Sequence, residues 1–198
     1  MRLHTSLEEV LATRTGLRVL RVLIASPDRS WTGTELATAA ASSPPQALEA
    51  LKELERMGLV RRTTVGRAHL WRLTAEHVFV NPLRSLFSFE SGLPGLFLDE
   101  LRAELKSLPL QRALLFGSVA RGTETSDSDA DLYLELSDSA SEEAVQAALT
   151  PIVVRLIRRY GVVLAPILYS RRVAANPPNP VLMKTIEREG VPLLEEPA

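Results

Sequence analysis

Asp129 and Asp131 lie one residue apart, and ten residues separate Asp129 from Ser118 in the pair Gly117-Ser118. That pair closes an apolar run, Leu114-Leu115-Phe116. Alternate residues of an extended strand share a face, so the two carboxylates are presented to one place. Paired hard oxygen ligands suit Mg²⁺ or Mn²⁺, which take few protein ligands and complete their shells with phosphate oxygens and water. Gly117 lets backbone come close to a phosphate, and Ser118 adds a hydroxyl and an amide. Arg121 suits a phosphate in bidentate fashion, yet an arginine equally braces a loop; both readings stay open.

A second group is basic. Arg61, Arg62, Arg67 and His69 stand close together between Val60 and Leu70, where they could neutralise backbone phosphates without reading bases. Upstream, Gln46 could address an adenine edge and Lys52 adds one charge, but Glu49 and Glu53 accompany them. Residues 1–75 hold 11 Lys/Arg against 7 Asp/Glu, and residues 76–198 hold 12 against 17. A basic first part beside an acidic second part fits one segment meeting phosphates and another holding cations.

The wider composition narrows the classes. The 198 residues leave room for two small domains. No cysteine is present, which excludes disulfides and thiolate zinc sites, and His4, His69 and His77 are scattered. No apolar run approaches the roughly 20 residues that span a bilayer, and Met1 to Val10 lacks the apolar region of a signal peptide. A cytoplasmic protein, with no membrane partner, is expected.

These groups need elements to hold them. Leu7 to Ala25 reads as a helix with Leu7, Val10, Leu11, Leu17, Leu20, Leu23 and Ile24 on its apolar side and Gly16 as a point of interruption. Thr34 to Ala41 reads as a second helix. A third follows the turn Ser42-Ser43-Pro44-Pro45 and runs to Met57, with Leu48, Leu51 and Leu54 on its buried side and Gly58 as its stop. Leu59 to Thr64 and His69 to Leu73 read as strands about a turn containing Gly66. Three helices and a hairpin make a winged helix-turn-helix.

Residues 76–111 read as a connector carrying an amphipathic helix from Leu96 to Leu108. Beyond Arg112 the pattern alternates: strand Ala113–Phe116, strand Asp129–Leu136, capped helix Ser141–Tyr160, buried strand Val162–Tyr169, helix Pro180–Glu189 and edge strand Val191–Leu194. The expected fold class is α+β in two domains. A winged helix-turn-helix over 1–75 leads through the connector to a mixed-sheet α/β domain over 112–198.

Two resemblances follow. The run from Leu48 through Gly58-Leu59-Val60-Arg61-Arg62 to Leu70-Trp71-Arg72-Leu73 resembles winged-helix regulators of the ArsR and MarR type, over roughly residues 15–75. It implies a third helix in the major groove, a wing on the backbone, and a homodimer that pairs half-sites. Leu114 to Gly122 followed by Asp127-Ser128-Asp129-Ala130-Asp131-Leu132 resembles the polymerase-β-like nucleotidyltransferase superfamily, above all its minimal single-domain members. That implies a nucleoside triphosphate as ligand or substrate, held with Mg²⁺ or Mn²⁺ by Asp129 and Asp131 as the catalytic acids and by Gly117, Ser118 and Arg121. The fused arrangement, with Glu76-His77-x3-Asn81-Pro82-Leu83 between, is similar to prokaryotic nucleotidyltransferase-domain transcriptional regulators. Single-domain relatives are antitoxins that modify a toxin, so a protein partner of toxin type stays open.

The sequence departs from the superfamily in one place. Its transferring members need a third carboxylate on a later central strand, to help deprotonate the acceptor. The matching run Val162-Val163-Leu164-Ala165-Pro166-Ile167-Leu168-Tyr169 has none, and no Asp or Glu occurs from Ala144 to Ile186. Glu135 shares the face of Asp131 but lies about 13 Å along the strand. The reading is therefore a DNA-binding regulator whose second domain binds nucleotide and Mg²⁺ with weak or no transferase activity. The alternative is an active, antitoxin-like nucleotidyltransferase, and a third reading is a protein-binding scaffold.

Overall fold

The computed structural model describes residues 6–125 and 127–194, so His4 lies outside the described residues. The chain forms two compact units, Met1–Gly92 and Leu93–Ala198.

The first unit begins with α1 (Ser6–Val10) and α2 (Arg14–Ala25). The interruption expected at Gly16 falls earlier, between Val10 and Arg14. Thr13 is extended and its hydroxyl accepts the Gly16 N–H at 2.9 Å, starting a new helix. The break takes Leu7 and Leu11 off the buried face; they are 55% and 40% exposed, while Val10 is buried. β1 (Trp31–Thr32), missing from the sequence reading, precedes α3 (Gly33–Ala39). Thr32 and Glu35 form a reciprocal capping box that starts α3.

α4 (Pro44–Arg56) buries Ala47, Ala50, Leu51 and Leu54. Those positions repeat at i, i+3, i+4 and i+7, which turns Leu48 away from the core; it is 40% exposed, against the expectation. β2 (Val60–Val65) and β3 (Ala68–Leu73) pair antiparallel about Gly66, whose φ is +60°, and β1 adds to the free edge of β3. Three helices on a three-stranded wing make the winged helix.

α5 (Val80–Leu105) is longer than the expected helix from Leu96. The helix runs through Gly92, Pro94 and Gly95, with Pro94 exposed where water can take the carbonyl it leaves unpaired. Val80 and Leu83 join the core of the first unit, and Phe97, Leu101 and Leu105 join that of the second. No helix among the described residues is long and apolar enough to cross a membrane.

In the second unit β4 (Leu110–Phe116) runs into α6 (Gly117–Arg121), followed by β5 (Ala130–Leu136) and α7 (Glu142–Tyr160). Then come β6 (Leu164–Tyr169), α8 (Arg171–Ala175), α9 (Pro180–Glu189) and β7 (Val191–Pro192). The sheet order is β6-β5-β4-β7, with β5 and β6 parallel and the other pairs antiparallel. Leu115, Leu132 and Leu134 face a core shared with Leu101, Leu105, Leu149 and Leu156, while Leu114, Phe116 and Tyr133 pack against Met183 and Ile186 of α9. The expectation of a buried, central β6 is corrected. It stands at the sheet edge, where Pro166 can be tolerated, and only Leu164 in it is buried.

Candidate functional site

The β4–β5 ladder ends with Phe116 opposite Asp131. The chain then turns sharply through Gly117, whose φ is +78°, into the short helix α6. A Cβ on Gly117 would collide with Asp131 Oδ2 and lie 3.2 Å from its Cγ. The glycine is needed twice over, for its left-handed backbone and for its missing side chain. Ser118, half-buried, follows in the first turn of α6, and its carbonyl accepts the Thr123 N–H at 3.0 Å. Gly122, with φ +64°, ends the helix. The loop back toward β5 is shaped by Ser128, whose hydroxyl accepts the Thr125 N–H at 2.9 Å. Asp129 immediately precedes β5, which is seated as the Ala130 N–H donates to the Val163 carbonyl at 2.8 Å.

The electrostatics of the corner are those of an acidic pair with one guanidinium nearby. Burial raises the proton affinity of Asp131, the charge of Asp129 raises it further, and Arg121 opposes both. A divalent cation would relieve the effect of the Asp129 charge on Asp131, and paired carboxylate oxygens fit Mg²⁺ or Mn²⁺. Among the described residues no third His, Asp or Glu joins them in a cluster able to hold an ion. In the parallel register Asp131 pairs with Ala165, and side chains so paired share a face. The neighbouring position on β6 is thus a methyl group. Further along that face Tyr133 is fully buried beneath α9, stacked edge-on against Tyr169 at 5.7 Å, and its hydroxyl donates to Glu135 at 3.3 Å. Glu135 is therefore engaged away from the corner.

Arg121 stands near Asp131 and donates its Nη1–H to Glu189 Oε2 at 2.6 Å. Glu189, at the end of α9, was missed by the sequence reading. It lies just past the acid-free stretch, and its only sequence signal is the Glu before a helix-stopping Gly190.

Residues 98–189 match the family described as the nucleotidyltransferase domain. The second unit carries a nucleotidyltransferase domain. No curated protein matches the chain. Among solved structures, ZitR of Lactococcus lactis (a C30S mutant) is similar at 25% identity over 39% of this chain and 51% of its own, with a TM-score of 0.32. The chain thus spans about half the length of that protein. The antimony-specific transcriptional repressor AntR is similar at 24% identity over 48% of this chain and 90% of its own, TM-score 0.39. A toxin–antitoxin complex with AMP-PNP is similar at 21% identity over 49% of this chain and 72% of its own, TM-score 0.35.

Upstream of the nucleotidyltransferase domain, the winged helix distributes its basic side chains unevenly. Arg61 is ion-paired to Glu76, and Arg62 reaches Glu55 at 3.3 Å while lying over the Trp71 ring at 5.7 Å. His69 Nδ1 is 3.1 Å from the Thr64 hydroxyl across the hairpin. The Gln46 carbonyl oxygen accepts the Ser43 hydroxyl at 3.0 Å, so that side chain is tied to the start of its own helix. Lys52 and Arg67 make no side-chain hydrogen bond or ion pair with described residues, and Arg67 sits in the wing turn. Gln46 and Lys52 line a cleft of about 690 Å³ together with Glu9, Glu49, Glu53 and Arg56, and Arg56 is ion-paired to both Glu9 and Glu53.

Proposed function

We propose that this chain is a DNA-binding transcriptional regulator whose nucleotidyltransferase domain binds a nucleoside triphosphate with Mg²⁺ or Mn²⁺ and transfers little or nothing. The observation that carries the reading is the acidic corner: Asp129 and Asp131 together, Gly117 folded onto Asp131, and Ala165 where the next strand faces them. Asp129 and Asp131 would hold the cation, which when bound neutralises and orients phosphate oxygens. The Gly117–Ser118 corner offers an amide and a hydroxyl to the same phosphates, and Arg121 offers a guanidinium. Transfer requires a group to take the proton of the acceptor hydroxyl, and no third acid stands with the pair among the described residues. Binding without efficient transfer follows.

The winged helix is proposed to work as a homodimer, with Arg61, Arg62, Arg67 and His69 on the DNA backbone and Gln46 and Lys52 on the helix beside it. The intact Gly-Ser and Asp-x-Asp motifs favour one second reading, an active nucleotidyltransferase acting on a protein partner of toxin type. Calorimetric titration with ATP, with and without Mg²⁺, tests the first reading on wild type and on Asp129→Ala/Asp131→Ala. Metal-dependent binding lost in the variant supports it, and silence of the wild type removes both readings. Labelled-nucleotide transfer onto protein acceptors then separates a binder from a transferase.

A further inference from the structure

Glu189 is gripped from two sides. Arg121 holds one carboxylate oxygen and Arg188 the other. The Glu189 side chain is 22% exposed, whereas those of Arg121 and Arg188 are 48% and 72% exposed. The two guanidiniums, Arg188 first and Arg121 second, hold the carboxyl below the usual carboxylate range.

The place of this carboxylate is set by the backbone that follows it. A Cβ on Gly190 would collide with the Ile186 carbonyl and lie 3.1 Å from Leu114 Cδ1. The glycine lets the end of α9 press onto β4. The chain then enters β7, whose Val191 and Pro192 pair with Leu115 and Leu114. The end of α9 is thereby locked to the strand that leads into Gly117.

Arg121 commits one N–H to Glu189 and ends the short helix that begins at Gly117, the residue Asp131 lies against. A guanidinium carries five donors in a planar fork, so one arm can be anchored while the rest stay available to an anion. Anchoring it before the anion arrives removes the entropy cost of ordering a long side chain on binding.

We infer that Glu189 is a positioning residue for the nucleotide phosphates: it holds Arg121 at the edge of the acidic corner, aimed at the phosphate chain that accompanies the cation. This rests on the nucleotide reading above. Arg188 secures the other oxygen of Glu189 and has no direct part in binding.

The test is calorimetric titration of the full chain with ATP at fixed Mg²⁺, and separately with Mn²⁺ alone. Glu189→Ala is expected to weaken ATP about tenfold and Glu189→Gln about threefold, through lost preorganisation of Arg121. Arg188→Ala leaves the Arg121–Glu189 contact in place and is expected to weaken ATP less than Glu189→Ala does. Arg121→Ala/Glu189→Ala should bind ATP no more weakly than Arg121→Ala alone, since the two residues act as one unit. Mn²⁺ alone should bind wild type and Glu189→Ala equally, and thermal melts of Glu189→Gln should show the fold retained. Unchanged ATP affinity in Glu189→Ala overturns the inference. So does tighter binding, which would make the carboxylate a stand-in for phosphate, and so does an equal loss of Mn²⁺ binding. A wild type that binds no ATP removes the nucleotide reading itself, an outcome distinct from equal affinities.

Discussion

Asp131 fills the space that a side chain on Gly117 would need. Its carboxylate lies against the glycine Cα, at the point where the φ of Gly117 is +78°. Gly117→Ala therefore meets both a backbone penalty and a collision, and is expected to destabilise the second unit by about 1–3 kcal/mol. Mn²⁺ binding should fall with it, because Asp131 must move. Gly122→Ala is the control. Its φ is +64° but nothing lies within 4 Å of a Cβ there. It should cost only about 1 kcal/mol and leave Mn²⁺ binding intact. Urea unfolding and Mn²⁺ titration of both variants decide this; equal effects at the two glycines would refute the steric account.

Ala165 faces Asp131 across one strand spacing, roughly 4.8 Å. Ala165→Asp should place a third carboxylate with the pair. Mn²⁺ affinity is expected to rise roughly tenfold, since ligand charge count tunes such sites. Without metal the same variant should be less stable than wild type, because a third like charge raises the cost of ionising the corner. Calorimetry and thermal melts in the presence and absence of Mn²⁺ read both signs. Gain of labelled-nucleotide transfer in this variant would identify the missing acid as the limit on catalysis.

Arg67, in the wing turn, makes no ion pair with described residues, whereas Arg61 and Arg62 are engaged by Glu76 and Glu55. A phosphate contact by either paired arginine must first displace its carboxylate. Arg67→Ala is thus expected to reduce the slope of log affinity against log salt by about 1, and Arg61→Ala to reduce it less. Fluorescence anisotropy on genomic DNA fragments across a salt series measures the slopes. A wild-type slope near zero would remove the DNA-backbone role altogether.

Glu35 titrates below the usual carboxylate range, first because the Thr32 N–H donates to it, then because the Thr32 hydroxyl does, with Arg29 adding a smaller effect. A carboxyl depressed in the folded state adds stability above its unfolded value, and that stability is lost as pH falls through the lowered folded value. Glu35→Gln should therefore lower the melting temperature at pH 7 and have little effect at pH 2–3. Thr32→Ala, which removes the cap itself, should cost about 1 kcal/mol at pH 7. An equal Glu35→Gln effect at both pH values would exclude the electrostatic part.

Much is legible in the sequence because it is local. The turn at Gly66, the cap at Ser141, the stop at Gly190 and the wing strands all follow from residues a few positions apart, whose backbone preferences act without help from the rest of the chain. Local signals failed where long-range packing outweighed them. The helical pattern reads from Leu96 only, yet α5 begins at Val80, with hydrophobic anchors such as Leu83 and Leu101 on either side of Pro94. Leu7 and Leu11 read as core, but the cap at Thr13 starts a new helix with its own phase.

The sequence alone determined the chemistry on offer: an Asp-x-Asp pair after a Gly-Ser corner, a winged helix before it, and no acid on the run that should supply a third. Strand alternation and motif spacing carry that information within about twenty residues. Tertiary structure alone decided what surrounds the pair. It set Asp131 into the missing side chain of Gly117, put Ala165 beside it through the parallel register, sealed Tyr133 beneath α9, and brought Glu189 to Arg121 across 68 positions. Register and helix docking depend on the whole buried surface, and no short window of sequence contains that sum.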